Sequence, residues 1–150
     1  MSSTRLALAS LGLTVLGIAV AVYMVYIHYQ ESALICGVGD CAKVQTSTYA
    51  EVAGIPIAWF GLIMYLALLG LWIGKRAIPA MTDLATVGTF GITLAGTLYV
   101  AYLTYLEIWV IEAICQWCVT FAIITTLLFL LSALQLWRLF IATSVPDEPS

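Results

Sequence analysis

Ile114–Trp137, ICQWCVTFAIITTLLFLLSALQLW, reads as a helix that crosses a membrane. No charged residue interrupts it, and spanning a bilayer core takes about 20 apolar residues. The run opens on Cys115-Gln116-Trp117-Cys118. A spacing of three puts both sulfurs on one helix face, within a turn of each other. A helix N-terminus also presents unpaired N–H groups and the positive end of the dipole, which stabilise a thiolate. The stretch predicts a redox dithiol at a membrane surface. Its plainer alternative is a pair of small apolar side chains in a lipid-embedded helix.

The whole chain has the composition of that run. Of its 150 residues 63% are hydrophobic and only 9% charged, against about 25% charged in soluble domains. Water does not solvate such a chain, so a soluble globule is excluded. Lys and Arg together number 5 and are scattered, which leaves no electrostatic footprint for nucleic acid. The partner implied by composition is membrane lipid.

Working outward, three more apolar runs appear, at about residues 6–27, 56–74 and 84–106, besides 114–137. The expected fold is an all-α integral membrane protein: a four-transmembrane-helix bundle, with an outer loop carrying a short surface helix. Its domain covers residues 1–143, and 144–150, with Pro146, Asp147, Glu148 and Pro149, reads as a disordered tail. The first run is too long for a cleavable signal peptide, and Tyr23, Tyr26 and Tyr29 suit an interfacial aromatic belt. Gly70-x-x-x-Gly74 reads as ordinary packing.

Orientation follows from the basic residues of the short loops. With four spans, Arg5, Lys75, Arg76 and Arg138 share one side, and Lys43 stands alone on the other. Both termini are therefore expected in the cytoplasm of a multi-pass plasma-membrane protein, with the cysteines on the outer, periplasmic side. Glu31, Asp40, Glu51, Glu107 and Glu112 make that side acidic. It is also the side on which disulfides persist.

The longest connection, about His28 to Ile55, holds the second cysteine pair in Cys36-Gly-Val-Gly-Asp-Cys41, a turn flexible enough for the sulfurs to meet. Thr48-x-x-Glu51 has capping-box spacing, which predicts the short surface helix at Tyr49–Ala53. Gly54-Ile-Pro56 then stops it and leads into the second span. Four cysteines so arranged can hold zinc, form two static bridges, or relay disulfides between the pairs. An oxidising compartment and a pair set in a lipid-embedded helix weigh against the metal. A bridge within a regular helix is strained and reducible, so exchange is the favoured reading. His28 reads as an interfacial residue and Asp83 as the end of the third span. Glu107 and Glu112 also read as interfacial, with either able to influence the Cys115 thiolate. There is no Ser/His/Asp set for hydrolysis, no phosphate-binding glycine loop and no intramembrane charge marking an ion path.

The order of these features resembles the vitamin K epoxide reductase family, in its bacterial and archaeal form. The resemblance rests on the loop pair Cys36 and Cys41, Ser47 six residues on, Gly54-Ile-Pro56, and then the CxxC opening the fourth helix; it extends over about residues 10–137. It implies a quinone-dependent disulfide oxidoreductase built as a four-helix bundle around a quinone of ubiquinone, menaquinone or vitamin K type, without metal. By the same resemblance Cys36 exchanges with a thioredoxin-like, DsbA-type partner, secreted or membrane-anchored, in support of disulfide bond formation. Cys41 passes electrons inward, Cys115 receives them through a transient Cys41–Cys115 disulfide, and Cys118 faces the quinone. Ser47 matches the loop serine that supports the loop or the quinone site. Many relatives carry a fused thioredoxin-like domain; this chain carries none, so a separate partner is expected. Ala122 stands where vertebrate members have a tyrosine, so plain quinone reduction rather than epoxide reduction is expected.

Electron chemistry agrees, because a dithiol that collects electrons outside the membrane needs a lipid-soluble acceptor. Trp59, Phe60, Trp117 and Phe121 near the outer surface suit a pocket for a flat ring, and equally suit an aromatic belt. The rival readings are a structural membrane subunit with fixed disulfides and a DsbB-like oxidase of another lineage. In DsbB the CxxC sits in the first outer loop, the reverse of the order here.

Overall fold

Lipid offers no hydrogen bonds, so a chain this apolar must satisfy its backbone within helices. In the computed structural model, which describes residues 3–30 and 34–144, it does so with four helices long and apolar enough to cross a membrane. They are α1 (Ser3–Tyr29), α3 (Ile57–Ala77), α4 (Thr82–Trp109) and α5 (Gln116–Ser144). The expected all-α membrane bundle is the fold observed. Glu31 and the tail beyond Ser144 lie outside the described residues. A short helix α2 (Cys41–Gln45) and a two-stranded hairpin, β1 (Glu51–Val52) with β2 (Ile55–Pro56), lie between α1 and α3. A single 3-10 turn, Pro79–Met81, joins α3 to α4.

Around the bundle, α1 packs on α3 and α5, and α4 packs on the same two from the other side. The core joins Val20, Ala21 and Met24 of α1 to Tyr65 and Leu68 of α3 and Ile124 and Leu128 of α5. Lipid is as apolar as these side chains, so close contact and polar bonds hold the helices together. Gly17 lies flat beneath the Tyr65 ring, where a Cβ would overlap the ring carbons. The Tyr65 hydroxyl meets Thr125 Oγ1 at 2.9 Å, and Thr93 Oγ1 meets Ser132 Oγ at 2.8 Å. Gln135 Nε2 donates to Ser10 Oγ at 2.9 Å. Such interhelical bonds contribute about 0.6 kcal/mol each in a bilayer. Other helix threonines, Thr89, Thr97 and Thr120 among them, return their hydroxyls to the carbonyl four residues back. By contrast, Gly70 and Gly74 face open space, so that pair marks no helix contact.

The connection after α1 departs from expectation. No helix forms at Tyr49–Ala53; the segment turns instead into the β1–β2 hairpin. Ala53 and Gly54 take φ of 54° and 79°, the left-handed pair that reverses a two-residue hairpin. Glu51 does not reach back to cap a helix, because its Oε1 lies 3.1 Å from His28 Nε2. The short helix lies earlier, at Cys41–Gln45, where the Asp40 carboxylate accepts the Lys43 N–H at 3.0 Å.

Candidate functional site

Each cysteine owes its position to a local feature of the chain. Cys36 and Cys41 are joined as a disulfide that closes the Gly-Val-Gly-Asp turn. Cys36 is exposed, whereas Cys41 opens α2 and is buried completely, beside Val44 on the same helix face. Cys115 also has 0% exposure and stands just ahead of α5, its carbonyl accepting the Val119 N–H at 3.0 Å. Cys118 lies in the first turn of α5, half-buried and unbridged. Cys41, Val44, Ala113 and Cys115 form one buried cluster, with Trp117 and Cys118 packed against it.

Two residues between the helix cysteines dock the loop. Gln116 Oε1 accepts the N–H groups of Gly37 and Val38 at 3.1 and 3.0 Å. Trp117 Nε1 donates to the Ile35 carbonyl at 2.8 Å, while its ring packs on Tyr23 with centroids 4.5 Å apart. The Asp40 N–H adds a bond to the Ile114 carbonyl at 3.0 Å, and Gly39 pairs with Cys115 as a β-bridge. The loop disulfide, exposed at Cys36 and buried at Cys41, is thereby laid across the start of α5. Sequence reasoning missed Gln116 altogether, because an amide within a CxxC carries no signal until the loop that it grips is in place.

Of the two glutamates read as able to influence Cys115, Glu107 is the one that meets it. Glu107, expected at the interface, is only 5% exposed. The chain leaves α4 at Trp109, turns at Glu112 with φ of 51°, and returns over Glu107. Glu107 Oε2 accepts the Cys115 N–H at 3.2 Å, its carbonyl accepts the Ala113 N–H at 3.0 Å, and its carboxyl lies near the Cys118 thiol. Glu112 itself is exposed.

Hydrogen bonding sets the reactivity of the pair. The Cys115 thiol is pulled down to about 7, chiefly by the hydrogen bond from the Cys118 thiol. The N–H groups of Cys118 and Trp117 at the start of α5 add to this, while burial and the nearby Glu107 charge oppose it. Below pH 7 the Cys115 sulfur holds its proton, and above it the nucleophilic thiolate predominates. In the reduced protein, alkylation of Cys115 by iodoacetamide should rise through pH 7 and level off above. Cys118→Ala, which removes the first cause, should move that midpoint up by roughly one pH unit or more. An unmoved midpoint in peptide-resolved mass spectrometry would show that the Cys118 thiol is not the cause.

Beside the pair lies a cavity of about 140 Å³ between α3, α4 and the loop. Ser47, Phe60, Cys118 and Phe121 line it; Trp59 and Trp117 do not. Trp59 is exposed and donates from Nε1 to the Tyr29 hydroxyl at 3.3 Å. Ser47 donates to the Val44 carbonyl at 2.7 Å at the end of α2, and Phe121 is held edge-on by Tyr65. The walls are mostly apolar, from Met64, Val100 and Leu103, with Tyr49, Thr104 and Glu107 as polar points. Apolar walls with a few convergent polar groups and one thiol fit a flat, carbonyl-bearing ring. Among models of known families, that of the vitamin K epoxide reductase family matches residues 8–133 of the chain.

Proposed function

The chain belongs to the vitamin K epoxide reductase family, which makes it a multi-pass membrane thiol–disulfide oxidoreductase, and we propose that it oxidises a separate thioredoxin-like protein and delivers the electrons to a membrane quinone. The observation that carries this reading is the gradient of burial along the four sulfurs. Cys36 is exposed, Cys41 and Cys115 share one buried cluster, and Cys118 opens on the apolar cavity.

The relay then runs inward. A partner thiolate attacks Cys36, breaking the Cys36–Cys41 bond and releasing Cys41 as a thiolate. The partner's second thiol resolves the mixed disulfide, so the partner leaves oxidised and the loop is left as a dithiol. Cys41 attacks Cys115 of a Cys115–Cys118 disulfide and frees Cys118; Cys36 then attacks Cys41, restoring the loop bridge and leaving the helix pair reduced. A bound quinone supplies an acceptor for two electrons and two protons. Ser47, Phe60 and Phe121 would hold its ring beside Cys118. The loop bonded and the helix pair reduced is the state that follows these transfers.

The orientation belongs to the same proposal. Arg5, Lys75, Arg76 and Arg138 fall toward the end of the bundle away from the cysteines, which favours cytoplasmic termini and an outer cysteine face. The test uses purified protein, a reduced thioredoxin-like protein and a soluble quinone. Loss of quinone absorbance should require all four cysteines, and an impermeant thiol reagent applied to reduced cells should reach Cys36 from outside. No absorbance loss with a competent partner would leave a structural subunit with fixed bridges.

A further inference from the structure

Glu107 is a buried carboxyl that the disulfide relay leaves without a task. It lies on the wall of the cavity shared with Cys118, and no Lys or Arg lines that wall to pair with it. Burying a carboxyl without a cation is unfavourable, and a glutamine would accept the Cys115 N–H equally well at lower cost. Glu107 shares that wall with the Cys118 thiol, where an acid can carry a proton and a glutamine cannot. The titratable groups around it are Cys115 and Cys118 at the start of α5, and Tyr49 and Tyr99, which share its cavity wall.

We propose that Glu107 is the proton carrier of the helix pair, taking the Cys118 proton as the disulfide forms and passing it to the reduced acceptor in the cavity. This rests on the quinone reading above. Oxidation of the pair makes the Cys115–Cys118 bond, breaks the Cys118 S–H bond, and sends two electrons to the quinone. One proton goes from Cys118 through the Glu107 carboxylate to a quinone oxygen. The other is lost from Cys115 to water as its thiol ionises, and the quinol takes an equal one from water. A carboxyl within hydrogen-bond reach of both donor and acceptor is what such a transfer requires.

The experiment compares the full-length protein with Glu107→Gln and Glu107→Asp. The glutamine keeps an acceptor for the Cys115 N–H but holds no exchangeable acid proton. Oxidation of the reduced helix pair by a soluble quinone should slow by about 100-fold in Glu107→Gln and recover in part in Glu107→Asp. Exchange between the loop and Cys115, followed as disulfide exchange without quinone at a pH well above 7, where Cys115 is already thiolate with or without the Glu107 charge, should persist in both. Infrared difference spectra of the pair, cycled electrochemically in the absence of quinone, supply a separate readout. A carboxylic-acid carbonyl band should change with the redox state of the pair in the unmodified protein and vanish in Glu107→Gln. Unchanged oxidation in Glu107→Gln, or a band indifferent to that substitution, overturns the proposal. If the unmodified protein fails to reduce quinone while the Glu107 band still follows the dithiol, the quinone reading fails and the proton assignment to Cys118 stands.

Discussion

Replacing Gly39 by alanine should uncouple the loop disulfide from the helix pair. Gly39 has φ of 89°, and a Cβ built there would overlap the Ile114 carbonyl oxygen. That oxygen cannot swing aside, because it accepts the Asp40 N–H at 3.0 Å and belongs to the strand-like contact of Gly39 with Cys115. Strain of this kind costs about 1–3 kcal/mol, which is about 5–150-fold in an equilibrium. The overlap adds to it, so the loop should lift and take Cys41 out of its cluster with Cys115. Partner-dependent turnover should fall by at least about tenfold, while reduced Cys115 and Cys118 are still oxidised directly by quinone. Gly37→Ala is the control. Its Cβ would meet only the far end of the Gln116 side chain, at 3.3 Å, which can rotate away. Full partner-dependent turnover in Gly39→Ala would mean that Cys41 and Cys115 meet by a route other than the bridge described here.

The contrast between these glycines marks what was legible in the sequence. The four spans were readable because a bilayer imposes length and apolarity on each helix separately. CxxC was readable because helix geometry alone brings its sulfurs together. The loop was not, because its structure depends on pairings between segments far apart in the chain. Thr48-x-x-Glu51 fits a capping box, yet His28 from the end of α1 engages Glu51 and the chain turns at Ala53-Gly54. Asp40, three residues before Lys43, is the cap actually used. Which of Glu107 and Glu112 meets Cys115 was hidden for a similar reason. Glu107 is eight residues from Cys115, and only the turn at Glu112 folds the one over the other. Trp59 and Trp117 also could not be told from Phe60 and Phe121 by composition. Helix rotation decides which aromatic rings face the cavity, and the apolar all-round faces of membrane helices do not encode rotation.

Substituting Cys118 by serine should trap the relay halfway. In the structure Cys115 shares a buried cluster with Cys41, whereas Cys36 is exposed. The Cys115 thiolate can therefore attack the loop disulfide at Cys41. The Cys36–Cys41 bond breaks, a Cys41–Cys115 bond forms, and Cys36 leaves as the thiolate with no net oxidation. In the unmodified protein Cys118 resolves that bond by attacking Cys115, reforming the helix disulfide. A serine hydroxyl cannot, so the Cys41–Cys115 cross-link should accumulate with Cys36 free to label, and quinone reduction should be abolished. Cys115→Ser should give no such cross-link and should isolate the loop from the cavity. Non-reducing digestion with mass spectrometry distinguishes the products directly. A Cys36–Cys115 bridge, or full turnover in Cys118→Ser, would mean that exposure does not order the sulfurs. The exposed cysteine would then be able to enter the cluster itself, which requires the Gln116 and Trp117 contacts to the loop to open during each cycle.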